Sequence, residues 1–146
     1  MSRSPVDPVP LADDARCPCG TGEVLGSCCA PVLRGQRRAA TAEALMRSRY
    51  TAFAVGDIDH VMASWHPSTR PLRSALEESL GEESRWLRLE VHRTEQGGPF
   101  DDDGVVEFTA HGKREGGRFR LHEVSRFTRE DGVWRYLDGT VQRDGR

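Results

Sequence analysis

The residues best suited to chemistry stand near the front of the chain. The run Cys17-Pro18-Cys19-Gly20-Thr21-Gly22-Glu23-Val24-Leu25-Gly26-Ser27-Cys28-Cys29 sets two close pairs of thiols eight residues apart, and these are the only four cysteines in the sequence. Two such pairs, joined by a glycine-rich turn, can converge on one ion. Zinc favours a tetrahedral thiolate shell with bonds of about 2.3 Å, and four sulfurs fill that shell without leaving a position for a substrate water. Cys17, Cys19, Cys28 and Cys29 are therefore expected to hold a structural zinc. Gly20, Gly22 and Gly26 let the backbone reverse and aim N–H groups at sulfur, and Arg16 and Arg34 stand near enough in sequence to offset charge. The competing chemistry is a redox dithiol. A disulfide between the adjacent Cys28 and Cys29 would need a strained peptide between them.

A second group of chemical residues is polar in apolar company. On a helical wheel Arg49 falls between Leu45 and Phe53, inside an apolar face. Along residues 118–128, Phe119, Leu121, Glu123, Ser125 and Phe127 share one strand face, while Arg118, Arg120, His122 and Arg126 share the other. Glu123 thus points inward, like Arg49. Leaving either charge buried and unpaired costs on the order of 3 to 5 kcal/mol, so the two are expected to meet. His66, before Pro67 at a helix end, is better placed to cap carbonyls than to abstract protons. Trp65, Trp86 and Trp134 are large enough to anchor a core or to floor a pocket. The basic stripe of Arg118, Arg120 and Arg126 has Glu115, Glu130 and Asp131 close by and reads as a solvated face.

The elements that must position these groups follow from periodicity. Residues 1–14 hold prolines at 5, 8 and 10 and little to bury, which predicts a flexible leader, with the cysteine motif over 15–36 and an α+β domain over 37–146. Thr41 can cap a helix over 42–55, with Glu43 in its first turn and Gly56 as its left-handed stop. Asp57 can cap a second helix carrying Ile58, Val61, Met62 and Trp65. A third helix over 72–80 places Leu72, Leu76 and Leu80 on one face. From Trp86 the period becomes two, with Leu87, Leu89 and Val91 facing inward. Further strands are predicted over 104–113, 118–128 and 133–139, with a hairpin at Asp131-Gly132. Helices followed by an antiparallel meander make an α+β fold in which a curved sheet wraps the helical layer.

Composition narrows the possibilities. A chain of 146 residues supports one core plus an appendage. Its formal net charge of -2 gives no strong nucleic-acid signal. Short, interrupted apolar runs and no signal-like start predict a cytoplasmic protein without a membrane segment. In a reducing compartment, clustered thiols serve as metal ligands more readily than as disulfides.

The cysteine run resembles the SEC-C zinc motif in all four ligand positions, with Glu23-Val24-Leu25-Gly26-Ser27 where that motif is usually lysine-rich. The run Ala44-Leu45-Met46-Arg47-Ser48-Arg49-Tyr50-Thr51-Ala52-Phe53 and Ser64-Trp65-His66-Pro67-Ser68-Thr69 resemble the YchJ-like family. So do Glu123-Val124-Ser125-Arg126-Phe127 and Gly132-Val133-Trp134-Arg135-Tyr136-Leu137-Asp138-Gly139. The resemblance implies a domain of the nuclear transport factor 2-like fold, a cone of curved sheet closed by helices, and no established reaction. Within such a cone Arg49 and Glu123 either fix helix against sheet or line the mouth with Tyr50, Trp65, His66, Ser125 and Asp138 as a polar-tipped pocket. The primary expectation is a zinc-binding protein whose cone takes a small molecule or a protein partner. The alternatives are a small isomerase, dehydratase or hydrolase using an inward Glu123, Asp138 or His66, and an adaptor for ribosomal or secretory machinery. Open sheet faces in this fold often pair, so a homodimer is a further expectation.

Overall fold

The computed structural model describes residues 12–80 and 84–144. Most of the leader expected over 1–14 lies outside the described residues. Its end is anchored: Asp13 accepts from both terminal nitrogens of Arg34, at 3.1 and 2.6 Å, and its carbonyl accepts from the Gly26 N–H. Arg34 therefore answers Asp13, and not the thiols it was expected to offset.

The cysteine run folds into a tight knot with a 3-10 turn at Leu25–Ser27 and a short helix α1, Ala30–Leu33, which periodicity did not foretell. Helix α2 spans Ala42–Val55. Its start is fixed by the Thr41 side chain, which accepts from the Ala44 N–H at 3.0 Å, and its end by Gly56 at φ 80°, a conformation that costs glycine little. Helix α3, Ile58–Ala63, is capped by Asp57, whose carboxylate accepts from the His60 N–H at 3.1 Å. It stops two residues short of Trp65. Pro67 disfavours a helical His66, and the backbone bonds to the sheet instead: His66 N–H donates to the Tyr136 carbonyl and Tyr136 N–H to the Ser64 carbonyl, both at 2.8 Å. Helix α4, Arg73–Leu80, buries Leu76 but leaves Leu72 76 % exposed, so the expected leucine face covers less than its spacing suggested.

The sheet is an antiparallel meander in the order β1-β2-β3-β4, with strands Ser84–Gln96, Asp103–Arg114, Gly117–Glu130 and Val133–Asp144. Asp131 and Gly132, at φ 53° and 78°, form the tight turn between β3 and β4 that an Asp-Gly pair favours. Three register shifts bend the strands, at Leu87 and His92 in β1 and at Leu137 in β4. A bulge adds one residue to one strand and reverses the in–out alternation beyond it. Leu87 is accordingly 42 % exposed, and Trp86 takes the inner face.

Helix α2 crosses the concave face against β1, β2 and β4. The main core joins Leu45, Met46 and Tyr50 of α2 to Val106, Phe108, Ala110, Phe127 and Trp134 of the sheet, and it is continuous with Cys17, Cys19, Leu25, Cys29 and Ala30. The knot is thus part of the core, not an appendage to it. A smaller cluster of Ala52, Ile58, Val61 and Leu76 binds α3 and α4 to the far end of α2. No helix among the described residues is long and apolar enough to cross a membrane.

Candidate functional site

Helix α2 carries two sites on opposite sides. Toward the knot, the Sγ atoms of Cys17, Cys19, Cys28 and Cys29 all lie within 4.8 Å of one another, with Cys19 to Cys28 at 3.5 Å and Cys28 to Cys29 at 4.0 Å. A tetrahedral shell with 2.3 Å bonds needs sulfur–sulfur edges of about 3.8 Å, so the donor set fits a tetrahedral metal site. Three of the four cysteines are buried. Hydrogen bonds from the Cys19 and Cys29 thiols pull Cys17 well below the ordinary thiol range. Cys29 is driven up because it is the donor in that network, and burial pushes Cys28 up to about 11. A divalent cation held among them would favour the ionised form of all four thiols.

The neighbours of the knot escaped sequence reasoning. Thr51 on α2 brings Oγ1 to 3.6 Å from Cys17 Sγ, and Thr21 Oγ1 lies 3.2 Å from Cys28 Sγ. Arg47 Nη1 donates to the Cys19 carbonyl at 2.6 Å, and Arg37 Nη2 to that of Cys28 at 3.1 Å. The signal for Thr51 was present in the helix period: it lies one turn from Arg47 and two residues from Arg49, on the face opposite the cone.

The other side of α2 roofs a cavity of ≈ 290 Å³ inside the cone. Arg49, Tyr50, Trp65, Glu123 and Ser125 line it, as do Phe53, Trp86, Phe108, Phe119 and Tyr136. Arg49 is 7 % exposed and Glu123 9 %. They do not pair: among the described residues no Arg49 nitrogen comes within the 4.0 Å of an ion pair with Glu123. Arg49 Nη1 donates instead to the Val61 carbonyl at 3.1 Å and to Ser64 Oγ at 2.7 Å, and the guanidinium lies between the rings of Trp65 and Tyr136, 4.9 and 4.4 Å from their centroids. Burial lowers its pKa to about 10, with Tyr136 and Glu123 acting the other way, so it stays charged at neutral pH. Glu123 Oε2 accepts from the Tyr136 hydroxyl at 3.0 Å and from Ser125 Oγ. Gly139 makes room for that carboxylate, since a Cβ there would lie 2.8 Å from Glu123 Cδ and overlap Oε2. The expected meeting of Arg49 and Glu123 fails because α3 and two aromatic rings satisfy the guanidinium first.

Two expected pocket residues lie elsewhere. His66 bonds through Nδ1 to Ser68 Oγ at 2.7 Å and through Nε2 to Glu130 at 3.1 Å, outside the cavity. Asp138 faces outward and takes Arg126 Nε and Nη2 at 2.6 and 2.5 Å. Both strand partners report why: Phe127 pairs with Tyr136 but Arg126 with Asp138, so the bulge at Leu137 turns Asp138 to the outer face and leaves Tyr136 inside. Alternation along β4 alone puts Tyr136 and Asp138 on one face.

A curved four-stranded meander roofed by helices and fronted by two thiol pairs defines a nuclear transport factor 2-like protein with a SEC-C motif. The family model described as "YchJ, middle NTF2-like domain" matches residues 41–139. A UPF0225 protein of Chromobacterium violaceum is 52 % identical over 128 residues, covering 87 % of this chain and 93 % of its own, and the UPF0225 protein CE1570 of Corynebacterium efficiens is 45 % identical over 135 residues, covering 91 % and 98 %. Among solved structures, RPA3114 of Rhodopseudomonas palustris, a SEC-C motif containing protein, superposes with a TM-score of 0.77 at 35 % identity over 85 % of this chain and 96 % of that one. A SEC-C motif containing protein of Psychrobacter arcticus gives 0.75 at 28 % identity over 90 % and 86 %. The chain belongs to the YchJ-like, UPF0225 family.

Proposed function

We propose that this protein is a zinc-stabilised binding module whose cone takes a small organic ligand. The four cysteines would hold one zinc ion, which supplies a cross-link between the 17–19 and 28–29 segments and, through the Thr51 and Arg47 contacts, to α2. Four thiolates complete the shell of zinc, so the ion serves structure and not substrate activation. The observation that carries the ligand reading is the wall of the cavity. Arg49 and Glu123 are more than nine-tenths buried, carry opposite charge, and are left without a direct bond to each other. Buried charges usually saturate one another or a ligand. The apolar remainder, from Trp86 to Phe119, gives such a ligand a surface to cover.

Native mass spectrometry of the purified protein tests this, together with NMR screening of small organic fragments. Leu121 belongs to the apolar wall of the cavity, and Leu121→Trp fills the space from there. Adducts or fragment-induced shifts at cavity residues are expected in the parent and should vanish in this variant, with metal content unchanged. A parent that takes no adduct and shows no shift at cavity residues for any fragment overturns the reading.

A further inference from the structure

The two buried charges leave different edges open. Arg49 uses Nη1 twice, against Val61 and Ser64, while its Nε and Nη2 make no hydrogen bond to the described residues. Glu123 uses Oε2 for both Ser125 and Tyr136, while its Oε1 accepts from none of the described residues. Both residues line one cavity. It therefore offers donors on one side and an acceptor on another, each on a charged group that is otherwise largely buried. The third charged lining residue, Arg114, lies over the Phe119 ring at 4.3 Å and has partners of its own.

We infer that the cavity selects a small, planar, net-neutral ligand whose head group sets a hydrogen-bond acceptor beside a donor, the chemistry of a primary amide or a lactam. The inference rests on the reading above that the cavity is a binding site. An amide oxygen meets Arg49 and an amide N–H meets Glu123. A carboxylate satisfies Arg49 but brings a second anion against Glu123, and an amidinium satisfies Glu123 but brings a second cation against Arg49. Either mismatch sets like charges together in a largely buried site, where water screens their repulsion less than at the surface. The body of the ligand is set by the walls. Trp86 stands edge to face with Tyr50 and with Phe119, at centroid distances of 6.0 and 5.4 Å, so the space beside them suits one flat ring. At ≈ 290 Å³ the cavity lies near the lower end, about 300 Å³, of sites that hold drug-sized molecules, which also points to a single ring.

Benzamide, benzoate and benzamidine have nearly the same shape and differ in charge, so they isolate the head group. Titration of each into the intact protein, followed by calorimetry and by shifts of the Glu123, Ser125 and Tyr136 amides, should show benzamide binding at least about tenfold more tightly than the other two. Glu123→Gln presents a second donor in place of the acceptor and should move the preference to benzoate by about tenfold or more. Arg49→Met should move it to benzamidine, and the Gln variant carries the comparison if the Met variant does not fold. Stronger binding of benzoate or benzamidine to the parent overturns the ligand class and leaves the cavity as a binding site. If none of the three shifts a cavity residue up to millimolar concentration, the binding site itself falls, and the ligand class with it. An unchanged order of preference in Glu123→Gln also refutes the inference.

Discussion

Replacement of Gly139 by alanine probes how tightly the cone is built around Glu123. Gly139 pairs with Ser125 across β3 and β4, and it is not among the glycines with positive φ, so alanine meets no backbone strain there. It also removes unfolded-state freedom, which by itself stabilises by about 0.4–1 kcal/mol. The new Cβ, however, would lie 2.8 Å from Glu123 Cδ and 3.0 Å from Cγ. The carboxylate has to swing away, weakening its bonds from Tyr136 and Ser125. Each hydrogen bond to a charged group is worth about 1.5–3 kcal/mol, and overpacking costs about 1–3 kcal/mol, less where the carboxylate can move into the cavity it lines. With partial relaxation the net loss should be about 1–3 kcal/mol, or roughly 3–10 °C in Tm for a chain of this length. Urea denaturation and thermal melts of the parent, Gly139→Ala, Glu123→Ala and the double variant measure it. The double variant should be more stable than the sum of the single losses, because the clashing partner is gone. Gly139→Ala as stable as the parent, or strictly additive with Glu123→Ala, would refute the packing argument.

Other expectations are more local. Thr41→Ala removes the cap on α2 and should cost about 1 kcal/mol, read as a lower urea midpoint with an unchanged m-value. Cys29→Ser should lower the metal content below one equivalent by elemental analysis and lower Tm. Thr51→Val should keep the metal but weaken it about 10–100-fold in chelator competition, since an outer contact orients the ligand without replacing it. His60 lies against Ser48 Oγ at 2.9 Å, and burial lowers its pKa to about 4, with Asp57 opposing and Arg49 reinforcing the shift. The unfolded chain binds the proton more readily, so this contribution is present above the ordinary histidine pKa of about 6.5 and is lost as pH falls toward about 4. Tm measured from pH 7 to 4 should decline in the parent and decline less in His60→Asn.

The helices and the thiol site were largely legible in the residues because their determinants are local. Thr41, Gly56 and Asp57 act on backbone groups within four positions, and a thiol pair reaches the same ion as another pair a few residues on. The strands, too, were legible in number and order, since hairpins join neighbours. Which face each strand residue takes was legible only between bulges. Leu87, placed inward by a strict period of two, is itself the unpaired residue of a bulge and lies outward, and Asp138, expected at the mouth of the cone, is turned outward by the unpaired Leu137. His66 was misplaced for a related reason, because its segment leaves α3 to bond along β4.

By itself the sequence determined that four thiols would cluster, that an arginine and a glutamate would be carried inward, and that helices would roof an antiparallel meander. Only the tertiary structure decided what the inward charges do. A guanidinium takes the nearest carbonyls, hydroxyl and aromatic rings that α3 and Tyr136 bring to it, and a carboxylate takes the hydroxyls of Ser125 and Tyr136. Those partners come from segments as far apart as residues 61 and 136, and the bulge at Leu137 selects Tyr136 over Asp138. Register across a sheet is a property of two strands at once, which no single run of residues contains.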